Sequence, residues 1–210
     1  MITEKDTIKC EAVFSEDKKH RFLWKRVWDK DRPMACVIML NPCHADTLTM
    51  DVTTSLVANN IVRLGGYGGV SIVNLFSLLT NKLIFRFADT LNDEANDTYI
   101  QKAAEEASVV ILAWGKAADV NLKIYQRSQQ VIKLLKGQKE KLRVISDGKR
   151  SGCHPLTPAL RSQWYLTGTE EWQKASEAIA KQREERAKEK LAASQADSAK
   201  PKSTETVTIG

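Results

Sequence analysis

Four apolar runs in this chain each stop at a polar residue able to do chemistry. Asn41-Pro42 follows the run at 34–40, Asn74 the run at 70–73, Trp114-Gly115 the run at 109–113, and His154-Pro155 lies beyond the run at 142–145. A primary amide carries a donor and an acceptor side by side, so an Asn can pair with the edge of a planar heterocycle. An imidazole beside a carbonyl oxygen stabilises negative charge that develops there. Singly, each residue has an ordinary explanation: Asn caps helices and makes turns, and Pro after Asn is turn chemistry. Their repetition at the ends of successive runs is what points to a cleft, lined by two amides and one imidazole and without an evident nucleophile.

The elements that must position them follow from periodicity. Continuous apolar runs at 34–40, 70–73, 109–113 and 142–145 read as strands buried on both faces. Helical spacing occupies 53–64, 93–107 and 121–135, and the glycines at 65–69 stop the first of these helices. Residues 8–16 and 21–28 alternate around a polar turn at 16–19 and read as a hairpin. Strands alternating with helices call for an α/β fold. The expectation is a three-layer α/β/α sandwich: a central, mainly parallel four-stranded sheet plus an N-terminal β-hairpin at 8–28. In such a sheet, ligands bind beyond the carboxyl ends of the strands, where the four punctuation points fall. The domain is expected to span 1–172, followed by a charged helical extension at 173–191, rich in Ala, Glu, Lys and Arg, and a disordered tail at 192–210.

Composition narrows the function classes. A length of 210 residues suits one core-bearing domain. No run is long enough to span a membrane and the N-terminus lacks a signal-peptide core, so the expectation is a cytoplasmic protein with no membrane partner. The Cys at 10, 36, 43 and 153 form no C-x-x-C, against a disulfide framework or zinc ribbon. Cys43, His44, Cys153 and His154 are zinc-ligand types, but adjacent pairs suit one tetrahedral ion poorly, so neither metal nor cofactor is expected. The net charge of +6 is spread over the body and the extension; it permits an anionic partner and is too small to demonstrate one.

The motifs themselves carry a resemblance. Gly69-Val70-x-x-x-Asn74-x-x-x-x-Leu79-Thr80, Val110-Ile111-Leu112-Ala113-Trp114-Gly115 and Cys153-His154-Pro155-Leu156-Thr157-Pro158 resemble, in order and approximate spacing, three motifs of the uracil-DNA glycosylase superfamily. Leu40-Asn41-Pro42 stands where that superfamily has its first active-site loop. The chain is more closely similar to a bacterial and phage domain of unknown function that reads N-P-S-x-A-D, N-L-F, A-W-G and H-P-L. Here these are Asn41-Pro42-Cys43-His44-Ala45-Asp46, Asn74-Leu75-Phe76, Ala113-Trp114-Gly115 and His154-Pro155-Leu156.

The superfamily resemblance implies a base-excision enzyme that flips a nucleotide out of DNA and hydrolyses its N-glycosidic bond. It implies catalytic roles for Asn41, which would position the attacking water, and His154, which would stabilise the departing base anion. Asn74 would pair with the base edge, with Cys43 and Phe76 also in the base pocket. Pro42, Gly115, Pro155 and Leu156 would face DNA, and Leu156 or Leu160 would serve as wedge or as core. An amide orients water without deprotonating it; Asp46 is therefore either a base on a loop that folds back or a helix cap, while Asp51 reads as a cap alone. Cys43 replaces a blocking Tyr, which leaves room for a 5-substituted pyrimidine. DNA is the expected partner, with no obligate protein partner evident. Two alternatives stay open: a catalytically weak or inactive protein binding damaged, abasic or modified DNA, and an enzyme acting on free nucleotides.

Overall fold

The computed structural model describes residues 1–85 and 90–198. Among the described residues, seven strands form one mixed sheet in the order β1-β2-β4-β3-β5-β6-β7. They are β1 (Lys9–Phe14), β2 (Arg21–Val27), β3 (Met34–Met39), β4 (Gly69–Asn74), β5 (Ala107–Leu112), β6 (Leu142–Ser146) and β7 (Tyr165–Thr167). The helices are α1 (Val52–Leu64), α2 (Ala95–Glu106), α3 (Ala117–Val120), α4 (Leu122–Leu134) and α5 (Glu170–Ser198). The fold is α/β as the alternation requires, but the expected four-stranded central sheet with a separate hairpin is corrected. The parallel run β4-β3-β5-β6 is only the middle of the sheet. The hairpin continues it, because β2 pairs antiparallel with β4 from Trp24↔Ile72 to Val27↔Gly69. At the other edge β7, too short to read as a strand in the sequence, pairs antiparallel with β6.

The pleat divides the core in two. Cys36, Ile38, Val73, Val110, Leu112 and Val144 pack with α2 and α4 on one face. Ala35, Val37, Met39, Val70, Ile72, Val109, Ile111 and Ile145 pack with Val57, Ala58 and Ile61 of α1 on the other. Alternation along each strand puts successive side chains on opposite faces, so these apolar runs had to be covered twice.

Local chemistry fixes the helix starts. Asp51 Oδ1 accepts from Thr54 N at 2.9 Å and caps α1, and Asn121 Oδ1 accepts from Lys123 N and Ile124 N to cap α4. Arg127 of α4 ties the end of β4 to α2: its Nε–H donates to Leu75 O at 2.8 Å and its fork pairs with Asp97. The charged extension begins at Glu170 and its first turns dock, with Ser176 and Ala180 buried and Trp172 against Trp114 at 5.6 Å between ring centres. The helix continues to Ser198, past the expected limit at 191; the rest of the expected tail, 199–210, lies outside the described residues. No described helix is long and apolar enough to cross a membrane.

Candidate functional site

A cleft of about 270 Å³ opens beyond the carboxyl end of β3; Arg21, Asn41, Cys43, Asp51, His154 and Leu156 are among its lining. A wider depression, about 400 Å³, lies where β6 and β7 meet the start of α5. Lys139, Arg143, Glu140 and Glu170 line it, a set of opposed surface charges with no group convergent for catalysis.

Asn41 sits in the loop after β3. Its amide nitrogen donates to Thr80 O at 2.6 Å and Pro42 O at 3.2 Å. Both N–H groups are thereby used to pin the loop after β4, and the atom left for a ligand is Oδ1. An acceptor in that place orients water by taking one of its hydrogen bonds.

His154 is held from three sides. Cys153 N donates to Ile145 O and anchors the loop to β6, and Thr157 N donates to His154 O to close the turn. Leu156 N donates to Nδ1 at 3.1 Å. A backbone N–H can only donate, so Nδ1 is unprotonated and the ring proton sits on Nε2. Burial lowers the pKa of His154, which favours this neutral N–H donor. The sign of the pH dependence follows. An unfolded His takes up its proton near pH 6.5, whereas the half-buried ring does so only at lower pH. The stabilising contribution is therefore complete above about pH 6.5 and is lost as pH falls through the folded value. Urea midpoints should drop between about pH 7.5 and 5.5, and His154→Asn should flatten that slope.

Two glycines make room for this loop. Gly115 has φ of +64°, and a Cβ there would stand 2.7 Å from His154 Cβ. Gly152 has φ of +72°, and a Cβ there would stand 2.0 Å from the Trp172 indole nitrogen. Gly115→Ala should lower stability by about 1–3 kcal/mol through the left-handed backbone and the clash. It should also shift the His154 ring resonances, which a substitution remote from the ring would leave in place.

The remaining expected residues divide. Cys43 lines the cleft, and its thiol donates to Asn81 Oδ1 at 3.1 Å. Leu156 is 41% exposed at the rim, whereas Leu160 is core. Pro42, Gly115 and Pro155 are buried and shape the loops instead of presenting a surface. Asn74, paired in register with Met39, lies on the same face of the sheet as that cleft-lining residue, but is only 1% exposed and is not itself part of the lining. Neither its Oδ1 nor its Nδ2 has a protein partner, at a cost of about 1–3 kcal/mol per group.

Phe76 is a correction. Its ring packs in the opposite core, edge-on to Phe85 at 5.7 Å. β4 ends at Asn74, so strand alternation no longer carries Phe76 to the cleft face. Asp46 is the other. It is exposed and absent from the lining, and its Oδ1 accepts from Leu48 N and Thr49 N. Those bonds hold its carboxyl below the usual range, which makes it a poor base. It caps its own turn and not α1; Asp51 caps α1 and, unexpectedly, also lines the cleft. Among the described residues no three His, Cys, Asp or Glu side chains gather as metal ligands.

Arg21, with Lys25 and Arg26, reads in the sequence as a hairpin cation able to touch a nucleic-acid backbone; its enclosure is what the sequence does not show, since it is 1% exposed and lines the cleft. Burial lowers its pKa to about 10, against the opposing influence of Asp51 and Cys43. It remains a cation at neutral pH.

Residues 21–156 match the profile of a family described as a protein of unknown function (DUF1643). The chain belongs to DUF1643. The matched span opens on Arg21 and closes on Leu156, two residues of the cleft, and contains all of its lining. The edge strands β1 and β7 and the helix α5 lie outside it. No curated protein and no solved structure matches the chain. The comparisons support the DUF1643 membership alone; the likeness to uracil-DNA glycosylases rests on the motifs.

Proposed function

We propose that this DUF1643 protein is a glycosylase-like enzyme that draws a pyrimidine nucleotide of DNA into the cleft and hydrolyses its N-glycosidic bond. The observation that supports this best is that Asn41 and His154, from loops more than a hundred residues apart, line one small cleft with complementary groups: an acceptor oxygen and a neutral Nε2–H. Asn41 Oδ1 would hold the water that attacks the sugar carbon. His154 Nε2–H would donate to the base oxygen on which charge collects as the bond breaks, a term that grows toward the transition state. The unpaired amide of Asn74, beside Met39 on the neighbouring strand, would meet the base edge once the cleft is filled.

Cys43 sits where a Tyr would block a 5-substituent, and its small side chain leaves that space open. Release of 5-substituted pyrimidines is accordingly expected alongside or in preference to uracil. The test is incubation with matched duplexes carrying a panel of bases, with mass detection of free base and abasic sites; uracil-only release removes the Cys43 argument, and no release from any substrate removes the hydrolase. A second reading, a protein that binds modified or abasic DNA without cleaving it, is favoured by the commitment of both carboxylates of the Asn41 loop, Asp46 to its own turn and Asp51 to Thr54 at the start of α1. Retention of such DNA with no base release would select it.

A further inference from the structure

Arg21 is a buried cation without a buried anion. Its Nη1–H donates to Ala45 O at 2.9 Å, and its Nε has no partner. Among the described residues no carboxylate lies within ion-pairing distance of it. Asp51 stands in the same cleft and acts on it only at longer range. Enclosing a guanidinium is costly unless an anion meets it, and an apolar side chain would pack β2 against the core more cheaply. The rest of the fold does not use the charge: the carbonyl it holds could be satisfied by any neutral donor.

We propose that Arg21 makes the cleft an oxyanion site, and that the group it takes is the singly charged phosphodiester of a nucleic-acid strand. The single charge follows from Asp51, whose carboxylate in the same cleft does not pair with Arg21 but repels added negative charge, and so disfavours a dianion more than a monoanion. The strand follows from the surroundings. Lys82 and Lys116 are exposed; Lys82 follows the lining residue Asn81 and Lys116 follows Gly115, which packs against His154, so flanking phosphates would lie beside them. Arg is suited to the task because its fork presents several fixed donors to one phosphate. The inference rests on the proposed function for the nucleic-acid ligand and not for the chemistry, so its test measures binding and no base release: loss of hydrolysis with binding intact would remove the enzyme and leave the oxyanion site.

The full chain is titrated calorimetrically with thymidylyl-thymidine, which holds one phosphodiester, with thymidine, and with thymidine monophosphate. The diester should bind at least about tenfold more tightly than thymidine, the worth of one charge-assisted hydrogen bond. Arg21→Gln should erase that difference and Arg21→Lys should retain part of it. Equal binding of diester and nucleoside by the wild type, or an undiminished difference in Arg21→Gln, overturns the proposal. Tighter binding of the monophosphate than of the diester overturns the assignment to a strand. Should Arg21→Gln fail to fold, the Arg21 Nε–H resonance of the wild type decides: it should move on addition of the diester and stay still with thymidine, and an unmoved resonance with both overturns the site.

Discussion

His154→Ala should lower the rate of base release by about 10²–10³-fold, the loss recorded when one donor to a developing oxyanion is removed. The fold should survive, because the ring is only half-buried and its one internal hydrogen bond, from Leu156 N, lies on an exposed turn. The loss should fall on the rate constant more than on substrate binding, since the bond strengthens as charge develops. Single-turnover kinetics on the best substrate of the panel would measure this. Protonation should also lower the rate, by a different route. The neutral ring donates through Nε2 while Nδ1 accepts from Leu156; the imidazolium would present a proton at Nδ1 to that same N–H and break the turn. Activity carried by the neutral ring should therefore fade on the acid side of the depressed pKa and return reversibly. A rate unchanged in His154→Ala, in a chain with native urea midpoint, would remove His154 from the chemistry.

Much of this site was legible in the sequence, for a reason that the fold makes plain. Asn41, Cys43 and His154 directly follow or closely succeed buried strands, and parallel strands deliver their carboxyl ends to one side of a sheet. Residues with that placement converge whatever the lateral order of the strands. The place of Arg21 in the cleft was illegible for the converse reason. It opens β2, an antiparallel strand, and only the pairing of β2 with β4 brings its start beside the end of β4, where Arg21 N donates to Ser77 O. Period-2 alternation says that a strand has two faces and says nothing of its neighbour. Asp51 caps α1 as its position suggests, and Asp46 does neither of the things expected of it, because it is consumed by the amides of Leu48 and Thr49, leaving Asp51 to begin α1 at the cleft edge. β7 escaped notice because three residues give no period to read.

The hairpin gives the second large expectation, since its two readings differ by several kcal/mol. As an appendage on a four-stranded sheet, it should tolerate truncation at Trp24 with a small and local loss. As strands of the sheet, it should not. Trp24 is fully enclosed among Val57, Ile61, Val70 and Ile72, on the face covered by α1. Trp24→Ala should therefore cost about 3–5 kcal/mol, a large part of the 5–15 kcal/mol that holds a domain of this size together. The indole also supports the cleft from below its wall: its Nε1–H donates to Asp46 O at 2.7 Å and tethers the loop that carries Asn41 and Cys43. Trp24→Phe keeps most of the buried ring and removes this bond, so it should cost about 1–3 kcal/mol for the lost bond and the unfilled volume. It should also loosen the cleft before it loosens the sheet. Urea unfolding followed both by far-ultraviolet dichroism and by the resonances of Asn41 and His154 separates these effects. In Trp24→Ala one cooperative transition should shift as a whole to lower urea, because the hairpin, the sheet and the cleft share a single core. An early, separate transition confined to residues 8–28, with the Asn41 and His154 signals unaffected, would return the hairpin to the status of an appendage.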